Sequence, residues 1–468
     1  MQVPILSGIF TDDSPSLRTS YPLNLTPVAE ASGVSNSYLR PADGIVLDGT
    51  GTGIDRGGIL WNEVLYRVMG SKLVSIDASG NVTTLGDVGD DSSPVSFDYS
   101  FDRLAIGSNS NLFYWDGSTL TQVTDPDLGT VVDLIWVDGY FMTTDGEFLI
   151  VTDLSDPTSI DPTKYGSSEI DPDEIVALMK IRNEPHAVNR YTIEVFRNIG
   201  GTGFPFQRIS GAQIQKGAIG TKAVCEYGDQ LAFVGGGRHE QVSIYIAASG
   251  QTQKIATREI EEILLQYTTA ELSFVEIEYR NDRGSEMLYV HLDDQSLVYD
   301  GSASAVLGTP VWSILSSTYL STNSKFRARH MVFAYGKWRV GDPTSSNIGY
   351  LTGSTGEHWG QKVRWEFGTQ IIFNENKGLI FNELELVTLT GSVAQGVTPK
   401  ISTDYSLDGQ VWSQAIEIDA GIIGDRLKRL VWFRQGLSRN MRIQRFQGDS
   451  SSHLTFLRLD IQVDPLTV

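Results

Sequence analysis

"NLFYWDGSTLTQVTD" (111–125) is an apolar run, a tight Asp116-Gly117 pair and a second, more polar run. The pair fits a two-residue hairpin turn, because such turns need positive φ, which Gly adopts freely and Asp tolerates. The stretch therefore reads strand, turn, strand. Much later "SLVYDGS" (296–302) repeats the phrase. A repeated sugar-binding loop, a repeated catalytic device and a repeated structural unit would each leave such a trace.

A second hairpin phrase recurs before these and elsewhere. It appears as "ILWNEVLYRV" (59–68), "SFDRLAIG" (100–107), "LIWVDGYFMTT" (134–144) and "IRNEPHAVNRYTIEVF" (181–196). It continues as "CEYGDQLAFVG" (225–235), "IEYRNDRGSEMLYVHL" (277–292) and "FAYGKWRVG" (333–341). With Asn62, Asp102, Asp138, Asn183, Gly228, Asn281 and Gly336 as turn markers, the steps are 40, 36, 45, 45, 53 and 55 residues. Four-stranded propeller blades have a period of about 40–50 residues. One unit reads strand, turn, strand, link, strand, Asp-Gly-type turn, strand. A lone blade cannot bury both faces, whereas blades arranged around an axis can.

The pattern changes near 362, where alternating strands such as "VRWEFGTQIIF" and "LTFLRLDIQV" show no blade-like period. The expectation is an all-β chain with three parts: an extended N-terminal arm over 1–56, a β-propeller of six to seven four-stranded blades over 57–361, and an antiparallel β-sandwich over 362–468. Two helices are expected between blades. "DPDEIVALM" (171–179) offers Asp171 as N-cap and Pro172 at the first helical position, and "TREIEEILLQY" (257–267) offers Thr257 as cap with an Ile260/Ile263/Leu264 stripe.

Composition bounds the function. The chain has 468 residues and one cysteine, Cys225, so no intrachain disulfide can form. The first residues lack a basic region followed by a long apolar run, so no signal peptide is expected, and no stretch has the roughly 20 apolar residues of a membrane helix. The net charge is −21, concentrated in 87–174, where 19 acids stand against Arg103 and Lys164. Such a surface repels nucleic acid. The opposite case is "RLKRLVWFRQGLSRNMRIQR" (426–445), with seven cations and no acid. Both stretches suit a solvated surface. The sharper reading makes Arg426, Lys428, Arg429, Arg434, Arg439, Arg442 and Arg445 a docking set for an acidic partner or a phosphate.

Chemistry is weakly marked. The six histidines are scattered without metal-ligand spacing. "GTGTGIDRGG" (49–58) and "GAIGTK" (217–222) lack the context of phosphate loops and read as links between blades. "TDPDLG" (124–129) and "SEIDPDE" (168–174) alternate carboxylates but lack the distal Glu of a calcium loop, so turn and capping chemistry explains them. Cys225 lies in an apolar strand phrase and reads as core. No catalytic residue, metal or cofactor is assigned. A glycan-binding or glycoside-hydrolase-like propeller with an accessory sandwich is the alternative, since such enzymes place carboxylates near the axis. Clustered carboxylates and aromatics in the central funnel would favour it; a plugged or plain funnel would not.

An ordered set of phrases resembles one family. It comprises "LYRVMGSKLVSID" (65–77), "PDEIVALMKIRN" (172–183), "YTIEVFRN" (191–198), "IQKGAIGTKAVC" (214–225), "VSIYIAASGQTQKIATREIEEIL" (242–264), "SLVYDGS" (296–302) and "LKRLVWFRQGLSRNMRI" (427–443). Together they are similar to the tail-hub proteins of short-tailed double-stranded-DNA bacteriophages, the packaged-DNA-stabilisation or tail accessory family. The resemblance implies a non-enzymatic virion structural protein, assembled in the host cytoplasm and located in the tail. It implies a homo-hexamer ring below the portal and its adaptor (the head-to-tail connector). That ring would extend the DNA channel, retain the packaged genome until ejection and support a needle or plug and spikes or fibres, with DNA passing without sequence-specific binding. On this reading part of 87–174 faces or shields the lumen, and the 426–445 cations dock on an acidic face of the adaptor.

Overall fold

Alternate side chains of the quoted stretch enter different cores. In the computed structural model, which describes residues 2–3, 22–29, 37–319, 324–374, 377–393, 395–451 and 453–466, Phe113 and Trp115 pack with Trp61, Tyr66 and Val68. Leu112 and Tyr114 pack instead with Leu134, Phe141 and Ile150. Successive strand residues point to opposite faces, so a strand covered on both sides is apolar throughout. That is why "LFYW" does not alternate with polar residues.

The strand Asn111–Trp115 is third in a four-stranded antiparallel sheet with Ser96–Tyr99, Leu104–Ser108 and Leu120–Gln122. Seven such sheets form the propeller. Their first strands are Asp55–Trp61, Ser96–Tyr99, Asp133–Val137, Ile175–Ile181, Val224–Tyr227, Glu276–Asp282 and Arg329–Ala334, and we number the blades in that order. Each first strand touches the next, and the seventh touches the first, so the ring is closed. In blade 5 the short strand Gly217–Ala218 joins the same neighbour, Gln230–Gly236, as the first strand does. The expected turn markers occupy the first hairpin turns, with Asn62, Asp138, Asn183, Gly228 and Gly336 at positive φ. Asn281 is the exception. It lies within Glu276–Asp282, and Arg283 and Gly284 make the turn.

The two Asp-Gly phrases differ. Asp116-Gly117 forms the expected turn, with Asp116 Oδ1 accepting Ser118 N at 2.8 Å and Thr119 N at 2.7 Å. Asp300-Gly301 instead opens the helix Gly301–Leu307, with Asp300 as N-cap accepting Ala303 N at 2.8 Å. The helix expected over 171–179 is absent. Ile175–Ile181 is the inner strand of blade 4, with Ile175, Ala177, Leu178 and Ile181 buried. A strand buried on both faces mimics helical periodicity over so short a run. The expected helix over 257–267 exists as Arg258–Leu264. Thr257 is its N-cap without a side-chain bond, and Ile260 and Leu264 are buried. A second helix, Thr269–Leu272, follows with a Thr268/Glu271 capping box. Among the described residues no helix is long and apolar enough to cross a membrane.

The stretch expected as an extended arm, 1–56, is built into both domains, although residues 1, 4–21 and 30–36 lie outside the described set. Gly44–Thr50 is the outermost strand of blade 7, paired with Asn347–Thr352. Leu25–Ala29 and Ser37–Pro41 join a sandwich sheet through Thr455–Pro465, which also pairs with Leu379–Leu389. The facing sheet holds Arg364–Gly368, Met441–Asp449, Lys400–Ser406 and Ile416–Asp419. Between them lie Trp365, Phe367, Phe381, Trp432, Phe446 and Phe456. Asn24 stitches the domains together. Its Nδ2 donates to Ser316 O at 2.8 Å and Arg364 O at 2.7 Å, and its Oδ1 accepts Ser316 N at 2.9 Å.

Candidate assembly surfaces and the propeller axis

Inner strands bring distant residues to the propeller axis, where charges tie blades together. Asp133 of blade 3 accepts Ser96 Oγ of blade 2 at 2.5 Å and Leu178 N of blade 4 at 2.9 Å. Lys222, leading into blade 5, donates to Ser96 Oγ at 2.6 Å and lies 3.7 Å from Asp133. Asp98 accepts Trp136 N at 2.6 Å and Lys180 Nζ at 3.3 Å, which joins blades 2, 3 and 4 again.

Blades 6, 7 and 1 close with a denser cluster. Glu278 accepts His330 N at 2.7 Å and Met331 N at 2.6 Å. His330 Nδ1 lies 2.5 Å from Asp55 and its Nε2 3.0 Å from Glu276. Fully buried Arg67 donates to both oxygens of Asp55 at 2.9 Å and to His330 O at 2.8 Å. Burial alone would lower the His330 pKa, but Asp55 and Glu276 hold it up at about 10. Burial would raise Glu276, but Arg329 and His330 hold it below the usual carboxylate range. Gly341 makes room for the cluster, since a Cβ there would lie 2.1 Å from Asp55 Cγ. The cluster draws on three widely separated stretches, 55–67, 276–278 and 329–331, so no local motif marks it.

A cavity of about 560 Å³ opens at the axis, lined by Asp98, Trp136, Lys180, Lys222 and Glu226 among others. It is partly plugged by the ion pairs above. Asp98 uses both oxygens, since Oδ1 accepts Tyr99 N at 2.8 Å and Oδ2 meets Trp136 N and Lys180. Glu226 is the exposed carboxyl there, raised from its ordinary pKa by partial burial. Cys225 sits against the core, and burial pushes its thiol up, away from the thiolate.

The acids of 87–174 divide by position. Many cap their own turns: Asp125 accepts Asp127 N at 2.9 Å, and Asp145 accepts Glu147 N at 2.9 Å, while the second oxygen of Asp125 accepts Ile160 N of a distant loop at 3.0 Å. A groove of about 980 Å³ is lined by Asp145, Glu147, Glu169, Asp171, Asp173 and Glu174. It lies on the rim of the axial opening, where the chain enters the inner strands of blades 3 to 6. Burial raises the Asp173 pKa there, with Asp171 adding to it.

The seven cations of 426–445 are not one surface. Arg442 is fully buried, stacked 4.2 Å from the Phe381 ring centroid and 3.9 Å from that of Tyr405, and it donates to Gln435 O at 2.6 Å. Arg445 pairs with Asp404 at 2.5 Å and covers Trp412. Strand alternation turns Arg442 to the core face, while Arg445, on the opposite face, is half-buried against Asp404 and Trp412, so neither presents a free cation for docking. Arg429 is exposed but chelated by Glu385 at 2.5 Å and Glu383 at 3.2 Å. Arg426, Lys428, Arg434 and Arg439 are exposed.

Comparison with known proteins covers both domains. Residues 1–356 match the family model described as Bacteriophage P22 Gp10, beta-propeller, and residues 364–464 match Bacteriophage P22 Gp10, beta-sandwich. Over 462 residues the chain is 27% identical to the Tail hub protein gp10 of Salmonella phage P22, covering 94% of each. Among solved structures, the Pan2 WD40 domain of Neurospora crassa aligns with TM-score 0.43 and 8% identity, over 66% of this chain and 95% of that one. The computationally designed Ika8 protein aligns with TM-score 0.38 and 11% identity, over 66% and 100%.

Proposed function

Since the chain belongs to the Bacteriophage P22 Gp10 family and is a homologue of a structural phage tail protein, we propose that it builds the hub of a short phage tail. In this reading it forms a homo-hexamer ring below the portal and adaptor. The ring continues the DNA channel, retains the packaged genome and carries a needle and spikes or fibres. The observation that carries the reading is the match through propeller and sandwich together, over 94% of both chains.

The geometry suits a wall. Cross-blade ion pairs occupy the axis, so the blades act as a rigid unit and DNA passes beside them, between copies. The acidic rim groove suits a lumen-facing surface, because phosphates slide past carboxylates and are held by cations. A non-enzymatic role fits the axial carboxylates, since Asp98, Asp133, Glu276 and Glu278 are engaged with cations or backbone N–H groups. Electron microscopy of the purified particle tests the reading. Density for this chain in a ring under the portal is the expected result, and its absence from the tail would sink it.

A further inference from the structure

The single chain leaves two patches of opposite charge exposed, each built around apolar side chains, on different domains. On the propeller, the first hairpin turns of blades 2 and 3 carry Phe101-Asp102 and Asp138, and Phe101 is 96% exposed. Exposed Leu154 covers the second of these turns, since a Cβ on Gly139 would lie 2.9 Å from its Cδ2. Exposed Asp156 follows, in a loop held to blade 2 by Tyr114 Oη donating to Pro157 O at 3.0 Å. On the sandwich, the end of Leu379–Leu389 meets the 422–428 loop through Thr390 Oγ1 donating to Asp425 O at 2.7 Å and Gly424 N to Gly391 O at 3.1 Å. Leu389, Ile422, Ile423 and Leu427 are all exposed there, Leu427 by 94%, beside Arg426 and Lys428. Among the described residues these two cations form no ion pair, in a chain of net charge −21.

Single exposed apolar residues are ordinary, but clusters rimmed by charge mark interaction sites. We propose that the Leu427 end of the sandwich docks head to tail on the Phe101 face of a second copy's propeller. The inference rests on the reading of the chain as an assembly protein and names the contact between copies. The occupant follows from charge complementarity: one chain carries both halves of an apolar, oppositely charged pair, and both remain exposed within it. Because each copy uses a different patch on each side, the contact is heterologous and generates a ring when its rotation closes.

Two full-length variants test it, R426E/K428E and D138K/D156K, with mass measured by light scattering over a concentration series at low salt. The native chain self-associates, and each variant alone does so roughly a hundredfold more weakly, since like charges then face each other. An equimolar mixture recovers association, because the reversed sandwich of one meets the reversed propeller of the other. A mixture as weak as its components, or a native chain that stays monomeric to about 1 mM, overturns the proposal. So does an R426E/K428E chain that self-associates normally but no longer binds adaptor-bearing heads, which would assign the cations to the adaptor. If the mixing test fails while microscopy still places the chain in the tail, the hub reading stands and only this contact falls.

Discussion

At His330 two carboxylates from different blades, Asp55 and Glu276, share one imidazole, and this gives ring closure a pH dependence. The folded pKa, about 10, stands above the ordinary value of 6.5. Its stabilisation is therefore complete below about pH 6.5 and is lost as pH rises through about 10. Urea denaturation from pH 6 to 11 checks this: the native chain should lose stability with rising pH more steeply than His330→Gln, and parallel curves would refute it. Asn24 offers a second residue-scale test. Asn24→Ala removes three hydrogen bonds, two of them buried, and strands the Ser316 N–H and the Ser316 and Arg364 carbonyls, at a cost of about 2–4 kcal/mol. The measurement is the denaturation midpoint. Neither residue was legible in the sequence, because their partners lie 275 and up to 340 positions away.

The Asp-Gly phrases show what elements reveal and conceal. Both were readable as the end of a third blade strand, because an apolar run followed by Asp-Gly stops a strand. What followed was not readable. Asp116 caps a solvent-exposed turn, whereas Asp300 is buried and caps a helix packed beside blade 6. Asp300→Ala should cost about 1 kcal/mol, the typical worth of an N-cap, and Asp116→Ala should leave the melting temperature near native. The closing strand makes the fourth test. Ile45, 1% exposed in Gly44–Thr50, packs in the core between blades 6 and 7. Ile45→Asp buries an unpaired charge and costs about 3 kcal/mol. Hydrogen exchange in Asn347–Thr352 should quicken first, since that strand loses its only outer neighbour. Exchange that is unchanged there would count against the closure role. The helix expected over 171–179 failed at this same scale, because the two faces of Ile175–Ile181 are covered by blades 3 and 5, which lie outside the local stretch.

For the whole molecule, charge distribution bears on how DNA would pass the proposed hub. The rim acids Asp145, Glu147, Asp171 and Glu174 line one groove although they come from two separate loops. Changing these four to Lys should create retention of double-stranded DNA in gel-shift assays that falls steeply between about 50 and 200 mM salt, as counterion release requires. The native chain should retain none, and equal retention by both would argue against a DNA-repelling rim. In particles carrying the change, genome ejection should slow.

By itself the sequence determined the strand-turn rhythm, the blade period, the change of pattern near 362 and the acidic and basic segments, because each is written in neighbouring residues. Only the tertiary structure decided how the ring closes, with Gly44–Thr50 completing blade 7 and Leu25–Ala29 and Ser37–Pro41 crossing into the sandwich. It also decided which cations of 426–445 stay exposed, since Arg442 turns into the sandwich and Arg445 is half-buried against Asp404 and Trp412, while Arg426 and Lys428 face solvent. The physical reason is the same in each case. Strand pairing and burial join residues hundreds of positions apart, and a side chain's face is set by the neighbour that covers it.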